Sequence, residues 1–77
     1  SLPAPLTMRA ACPLPSTGSR CEFVRGISDG EAVAPADSQD SSALRALASA
    51  NCLIERRPHS AELAVGEVVR VYWLENG

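Results

Sequence analysis

The sequence predicts a mainly β fold, a small antiparallel β-barrel of about five strands with one short helix. Three observations predict it. Short runs alternate between faces, most clearly from Glu67 to Leu74, where Val69, Val71 and Trp73 take one side and Val68, Arg70, Tyr72 and Leu74 the other. Turn-forming residues separate the runs at Pro13 to Gly18, at Asp29-Gly30 and at Gly66. One stretch, Ser38 to Ile54, carries a helix signal, and it falls before the fourth strand. Short strands at this spacing close as a barrel or pack as a sandwich.

Leu6, Met8, Ala10 and Cys12 alternate with Thr7, Arg9 and Ala11, which predicts a half-buried first strand. The second runs from Arg20 to Ile27, with Cys21 and Phe23 on one face and Arg20 and Glu22 on the other. Asp29-Gly30 turns the chain, and Glu31 to Ala34 returns as its hairpin partner until Pro35 ends the pairing. Asp40, Ser41 and Ser42 offer oxygen acceptors for the free N–H groups of a helix start. Leu44, Leu47 and Ala48 continue at helical spacing for about two or three turns. Asn51 is expected to leave the helix in the left-handed conformation. Cys52 to Arg56 is the fourth strand, Arg57 to Ser60 a loop, and Glu67 to Leu74 the last strand.

The chain has 77 residues, enough for one small domain. A domain this short buries only about 60% of its unfolded surface. Its 45% hydrophobic content argues against disorder, and with Phe23, Tyr72 and Trp73 as the only aromatics the core must be Ala, Val and Leu. Net charge is −2, every basic residue is arginine, and no basic block occurs, so a nucleic-acid footprint is absent. No apolar run is long enough to cross a membrane. Residues 1–4 read as a linker or cut end of a fragment, and residues 5–77 as the domain. Cys12, Cys21 and Cys52 are odd in number and not at C-x-x-C spacing. They read as small buried hydrophobes in a reducing cytoplasm, with neither a disulfide framework nor a metal site.

Catalytic machinery is thin. His59 lies beside a proline with nothing to orient it, and no nucleophile elbow, phosphate-cradling loop or H-E-x-x-H motif occurs. One constellation carries chemistry. A tetrahedral oxyanion is held by a cationic fork, hydroxyl donors and backbone N–H groups. Arg20 opens a strand, and Ser41 and Ser42 open the helix, so these parts exist if the fold brings them together. Taken alone, such serines are more commonly a helix cap than a ligand site.

The run Arg20-Cys21-Glu22-Phe23-Val24-Arg25 resembles the R-x-E-F-x-R segment of the C-terminal domain (domain IV) in the molybdopterin molybdenumtransferase (MoeA/gephyrin) family. Gln39-Asp40-Ser41-Ser42 is similar to that family's Q-x-S-S segment. Leu44, Leu47, Ala50-Asn51 and Leu53-Ile54 follow its L-x-x-L-x-x-A-N-x-L-I pattern. Leu63 to Val71 resembles its closing L-x-x-G-E-x-V-x-V strand. The likeness covers Pro5 to Leu74.

The resemblance implies a small β-barrel at the end of a multidomain enzyme, facing the catalytic domain of the other subunit of a homodimer across a cleft. It implies a cytoplasmic parent that takes adenylylated molybdopterin, molybdate and magnesium. Arg20, Ser41 and Ser42 are then the residues expected to hold molybdate, with Gln39 and Asp40 lining the cleft. Asp40 stands where the family has glycine or an apolar residue, so its carboxylate must point away from an anion. The expected partners are the other domains of the parent, with no nucleic acid and no membrane. The domain itself is expected to hold no cofactor or metal, to contain no catalytic residue and to be inactive alone. Two other readings compete: a peptide-binding module, as in the scaffold gephyrin, and a purely structural barrel.

Overall fold

A computed structural model describes residues 3–46 and 48–74. Five strands form: β1 (Leu6–Ala10), β2 (Glu22–Ser28), β3 (Ala32–Pro35), β4 (Cys52–Arg56) and β5 (Val68–Trp73). They close into a barrel in the order β1-β3-β2-β4-β5. Four pairings are antiparallel, but β1 and β3 run parallel, with Arg9 opposite Ala32 and Ala10 opposite Val33. The expected five-stranded barrel with one short helix is formed, and the reason for its one parallel pair is counting. Strand direction must alternate around an antiparallel ring, and a ring of five cannot alternate throughout.

The alternation read from the sequence sets the interior. Met8 and Ala10 of β1, Cys52 and Ile54 of β4, and Val69 and Val71 of β5 are all buried. The β2–β3 hairpin is buried on both faces. Ser28 and Val33 form one opposed pair and Ile27 and Ala34 the next, so successive pairs face opposite sides, and all four are buried. An outer face can be buried only if something covers it. The helical stretch packs against β2 and β3, with Leu44 in the common core.

That stretch is shorter than expected. A 3-10 turn (Gln39–Ser41) leads into a single turn of helix, α1 (Ser42–Arg45). The cap is Ser38, not Asp40: the Ser38 hydroxyl oxygen accepts from the Asp40 N–H at 3.0 Å. Leu47, part of the expected helical face, lies outside the described residues.

Asn51 does not take the left-handed conformation, which among the described non-glycine residues belongs to His59 alone (φ 58°). Its amide instead pairs with both backbone groups of Ser28. Oδ1 accepts from the Ser28 N–H at 3.0 Å, and Nδ2 donates to the Ser28 carbonyl at 2.9 Å. The Asn51 backbone spans the neighbouring strands as well: its N–H donates to Gly26 and its carbonyl accepts from Leu74, each at 3.0 Å. A side chain thus continues the ladder where β4 has not yet begun.

Asp29 sharpens the hairpin. Its Oδ1 accepts from the N–H groups of Glu31 (2.9 Å) and Ala32 (3.0 Å), and Gly30 takes φ 104°. The Ala32 bond first, then the Glu31 bond, hold the Asp29 carboxyl below the usual carboxylate range.

The loops at one end are stitched together. Leu14 and Leu63 exchange backbone hydrogen bonds at 2.9 Å, the Thr17 hydroxyl donates to the Arg57 carbonyl (2.7 Å), and the His59 N–H donates to the Gly18 carbonyl (2.8 Å). Together they form a cover over the barrel.

Two substitutions test this account. At Gly26 a Cβ would lie 3.0 Å from Ile54 Cδ1 and 3.2 Å from the Ala34 carbonyl, so Gly26→Ala is expected to cost about 1–3 kcal/mol in urea unfolding. Asn51→Asp keeps the acceptor for the Ser28 N–H but sets a carboxylate against the Ser28 carbonyl. The protonated acid can donate there and the ionised form cannot, so its folded-state pKa is raised. The variant is then expected to be least impaired below the unfolded pKa and to lose stability as pH rises through the folded pKa, read as the urea midpoint against pH.

Candidate functional site

The residues singled out for anion binding fall into two groups. Gln39, Asp40, Ser41 and Ser42 lie on consecutive positions of the helical stretch. The tight turn separates the two serines in role. Ser41 is fully buried (0% exposed), and its hydroxyl donates inward to the carbonyls of Ser38 (2.7 Å) and Ala36 (3.3 Å). Ser42 is exposed, and its hydroxyl donates to the Gln39 carbonyl at 2.7 Å. Gln39 and Asp40 are exposed, so the Asp40 carboxylate lies on the surface.

Arg20 forms the second group, exposed in the bend ahead of β2. Among the described residues it makes no ion pair or hydrogen bond, and none links it to the serines. The register explains the separation. Ser41 is tied to Ala36, whose N–H donates to the Arg25 carbonyl at 2.9 Å, whereas Arg20 precedes Glu22, which pairs with Arg56. Arg20 therefore lies ahead of the start of β2, whereas Ser41 is tied through Ala36 to Arg25, the middle residue of that strand.

The arginine nearer the serine turn is Arg45, whose Nη1 donates to the Ala36 carbonyl at 3.0 Å, so that carbonyl accepts from both Ser41 and Arg45. Sequence reasoning missed this cation, and its position in the last turn of a helix was the available signal. Arg56, which closes the fourth strand, is buried (6% exposed).

The cysteines divide. Cys12 and Cys52 are buried, and burial raises the Cys52 thiol to about 11. Cys21 is exposed, which corrects the expectation that all three are core residues. It precedes β2 at an outward position in step with Phe23, itself 50% exposed and tilted against Tyr72 with ring centroids 6.1 Å apart. The Tyr72 hydroxyl donates to Glu55 Oε1 at 2.8 Å. No cluster of three metal-ligating side chains occurs among the described residues, nor does a helix long and apolar enough to cross a membrane.

A closed five-stranded barrel with a one-turn helix on its outer face defines a small β-barrel module. The family model for the MoeA C-terminal region (domain IV) matches residues 7–74, nearly the whole chain, and the chain belongs to that family. The membership sets it in the context of molybdenum cofactor biosynthesis. A search of curated proteins gives no match.

The division of the thiols is directly testable. Native protein treated with an aromatic disulfide at pH 8 should release about one fast thiol equivalent, from Cys21, and three only after unfolding. Two or more fast equivalents would contradict the burial of Cys12 and Cys52.

Proposed function

We propose that this chain is the last domain of a molybdenum transferase and forms part of the wall of a molybdate-binding cleft, completed by the catalytic domain of a second subunit. The reaction inserts molybdate into adenylylated molybdopterin with magnesium, and the parts that hold nucleotide and metal belong to other domains. The observation that carries this reading is the family match across residues 7–74, which contains Arg20 and the serine turn.

The geometry supports distinct tasks. Arg20 presents an exposed guanidinium, suited to bidentate contact with an oxyanion. Ser42 presents an exposed hydroxyl, while Ser41 holds the turn from inside and orients its neighbour. Gln39 and Asp40 border the same surface. Because Arg20 and the serines stand apart along β2, this reading has them line one cleft at two points, with the second subunit between.

A second reading, a peptide-docking module, is favoured by one feature, the exposed Phe23 beside Tyr72 on the outer sheet face.

Kinetics of the complete enzyme at limiting molybdate test the first reading. Arg20→Ala is expected to raise the molybdate requirement by about 10- to 100-fold, the loss of a charge-assisted contact, with the unfolding midpoint unchanged. Ser42→Ala should act in the same direction more weakly. Ser41→Ala should also lower stability, by about 1 kcal/mol, through its lost internal bonds. Wild-type molybdate dependence in Arg20→Ala and Ser42→Ala would refute the assignment.

A further inference from the structure

Arg56 is the one buried cation among the described residues, and its place in the fold accounts for that. In β4, Cys52, Ile54 and Arg56 are the buried alternating positions, so the Arg56 side chain enters the barrel beneath the loop cover. Its Nη2 donates to the carbonyls of Pro15 (2.7 Å) and Ala61 (2.9 Å), tying two loops together. Its Nε–H is buried with no acceptor. A buried guanidinium served only by carbonyls, with one N–H unpaired, is a costly arrangement.

The register supplies an acid. Glu22 lies directly opposite Arg56, and Val24 directly opposite Ile54, so Glu22 occupies an inward-facing position on the arginine's own face. Yet Glu22 is exposed, and it forms no ion pair with Arg56. Both residues line one pocket of about 150 Å³, whose other walls include Leu14, Pro15, Val24 and Ile54. The walls are mostly apolar, and the volume is that of a benzene-sized group.

We propose that Glu22 is a gate over this pocket. Turned inward, its carboxylate accepts from Arg56 Nε–H and fills the mouth. Unpaired with Arg56, as in this structure, it stands at the rim and leaves the pocket open to a benzene-sized aromatic group. The movement is a side-chain rotation at the end of β2 and needs no change in the sheet. Each state meets one need of the site: the inward state pairs the buried cation, and the outward state exposes the apolar walls. An apolar ligand that binds only the open state is weakened by the fraction of molecules that are closed. The proposal is independent of the molybdate reading, which does not use Arg56.

The 77-residue chain with Glu22→Gln, Glu22→Ala and the control Glu62→Gln (an exposed glutamate elsewhere) tests it, with benzene as the probe. Arg56→Met would remove both loop ties and is not needed. Hydrogen exchange of Arg56 Nε–H, followed by NMR, should quicken about tenfold in both Glu22 variants, the size of one charge-assisted hydrogen bond. Benzene should bind more tightly in both, most in Glu22→Ala, with shifts confined to Leu14, Val24 and Ile54. Exchange and benzene affinity unchanged from wild type in the Glu22 variants, or changed equally by Glu62→Gln, would overturn the gate.

Discussion

A five-stranded barrel encloses room for little more than one layer of side chains, and Gly26 is where that limit is met. The site of a Cβ there would lie 3.0 Å from Ile54 Cδ1, so Ile54 can cross the interior only because β2 presents bare backbone. Ile54 is among the largest fully buried side chains and sits opposite Val24, two pairs along from Gly26 and Cys52. The smallness of residue 26 therefore sets how closely β2, β3 and β4 approach. Closure follows from that approach, since five strands form a ring only when each lies within hydrogen-bonding reach of both neighbours.

Much of this was legible as alternation. β5 could be read because Val69 and Val71 alternate with Val68 and Arg70, and β4 because Cys52, Leu53 and Ile54 form a short apolar run, of which the fold buries alternate positions. The Asp29-Gly30 hairpin was legible because its turn chemistry is local: one carboxylate and two N–H groups within three residues. What escaped the sequence was whatever depends on distant partners. Asn51 carries a side chain that suits a helix exit, yet the fold uses both ends of its amide on Ser28, 23 residues away. Neither propensity nor spacing encodes such a bond. Nor does a pattern count the strands in a ring, so the parallel β1–β3 pair had no local signal.

The candidate site divides along the same line. Arg20, Ser41 and Ser42 could be named from their chemistry, and the exposure of Arg20 and Ser42 agrees with a surface role. The hydroxyl of Ser41 was indistinguishable from that of Ser42 in sequence. Only the 3-10 turn, tightened by the Ser41 N–H bond to the Ser38 carbonyl at 3.1 Å, rotates one inward and leaves the other out. Two adjacent serines thus divide into a structural brace and an exposed serine whose hydroxyl donates to the Gln39 carbonyl.

Arg56 and Arg20 show how burial decides what an arginine does. Arg20 stands in water, where an oxyanion can reach it and where an isolated charge costs little. Arg56 is surrounded by protein, so its hydrogen bonds to Pro15 and Ala61 act on the fold by tying the loop cover to β4. A solvated anion would have to shed its water to enter a pocket walled by Leu14, Pro15, Val24 and Ile54, and would meet Glu22 at the same walls. The proposed oxyanion contacts are therefore placed on the outer surface of the barrel and not in this pocket, whose walls are mostly apolar.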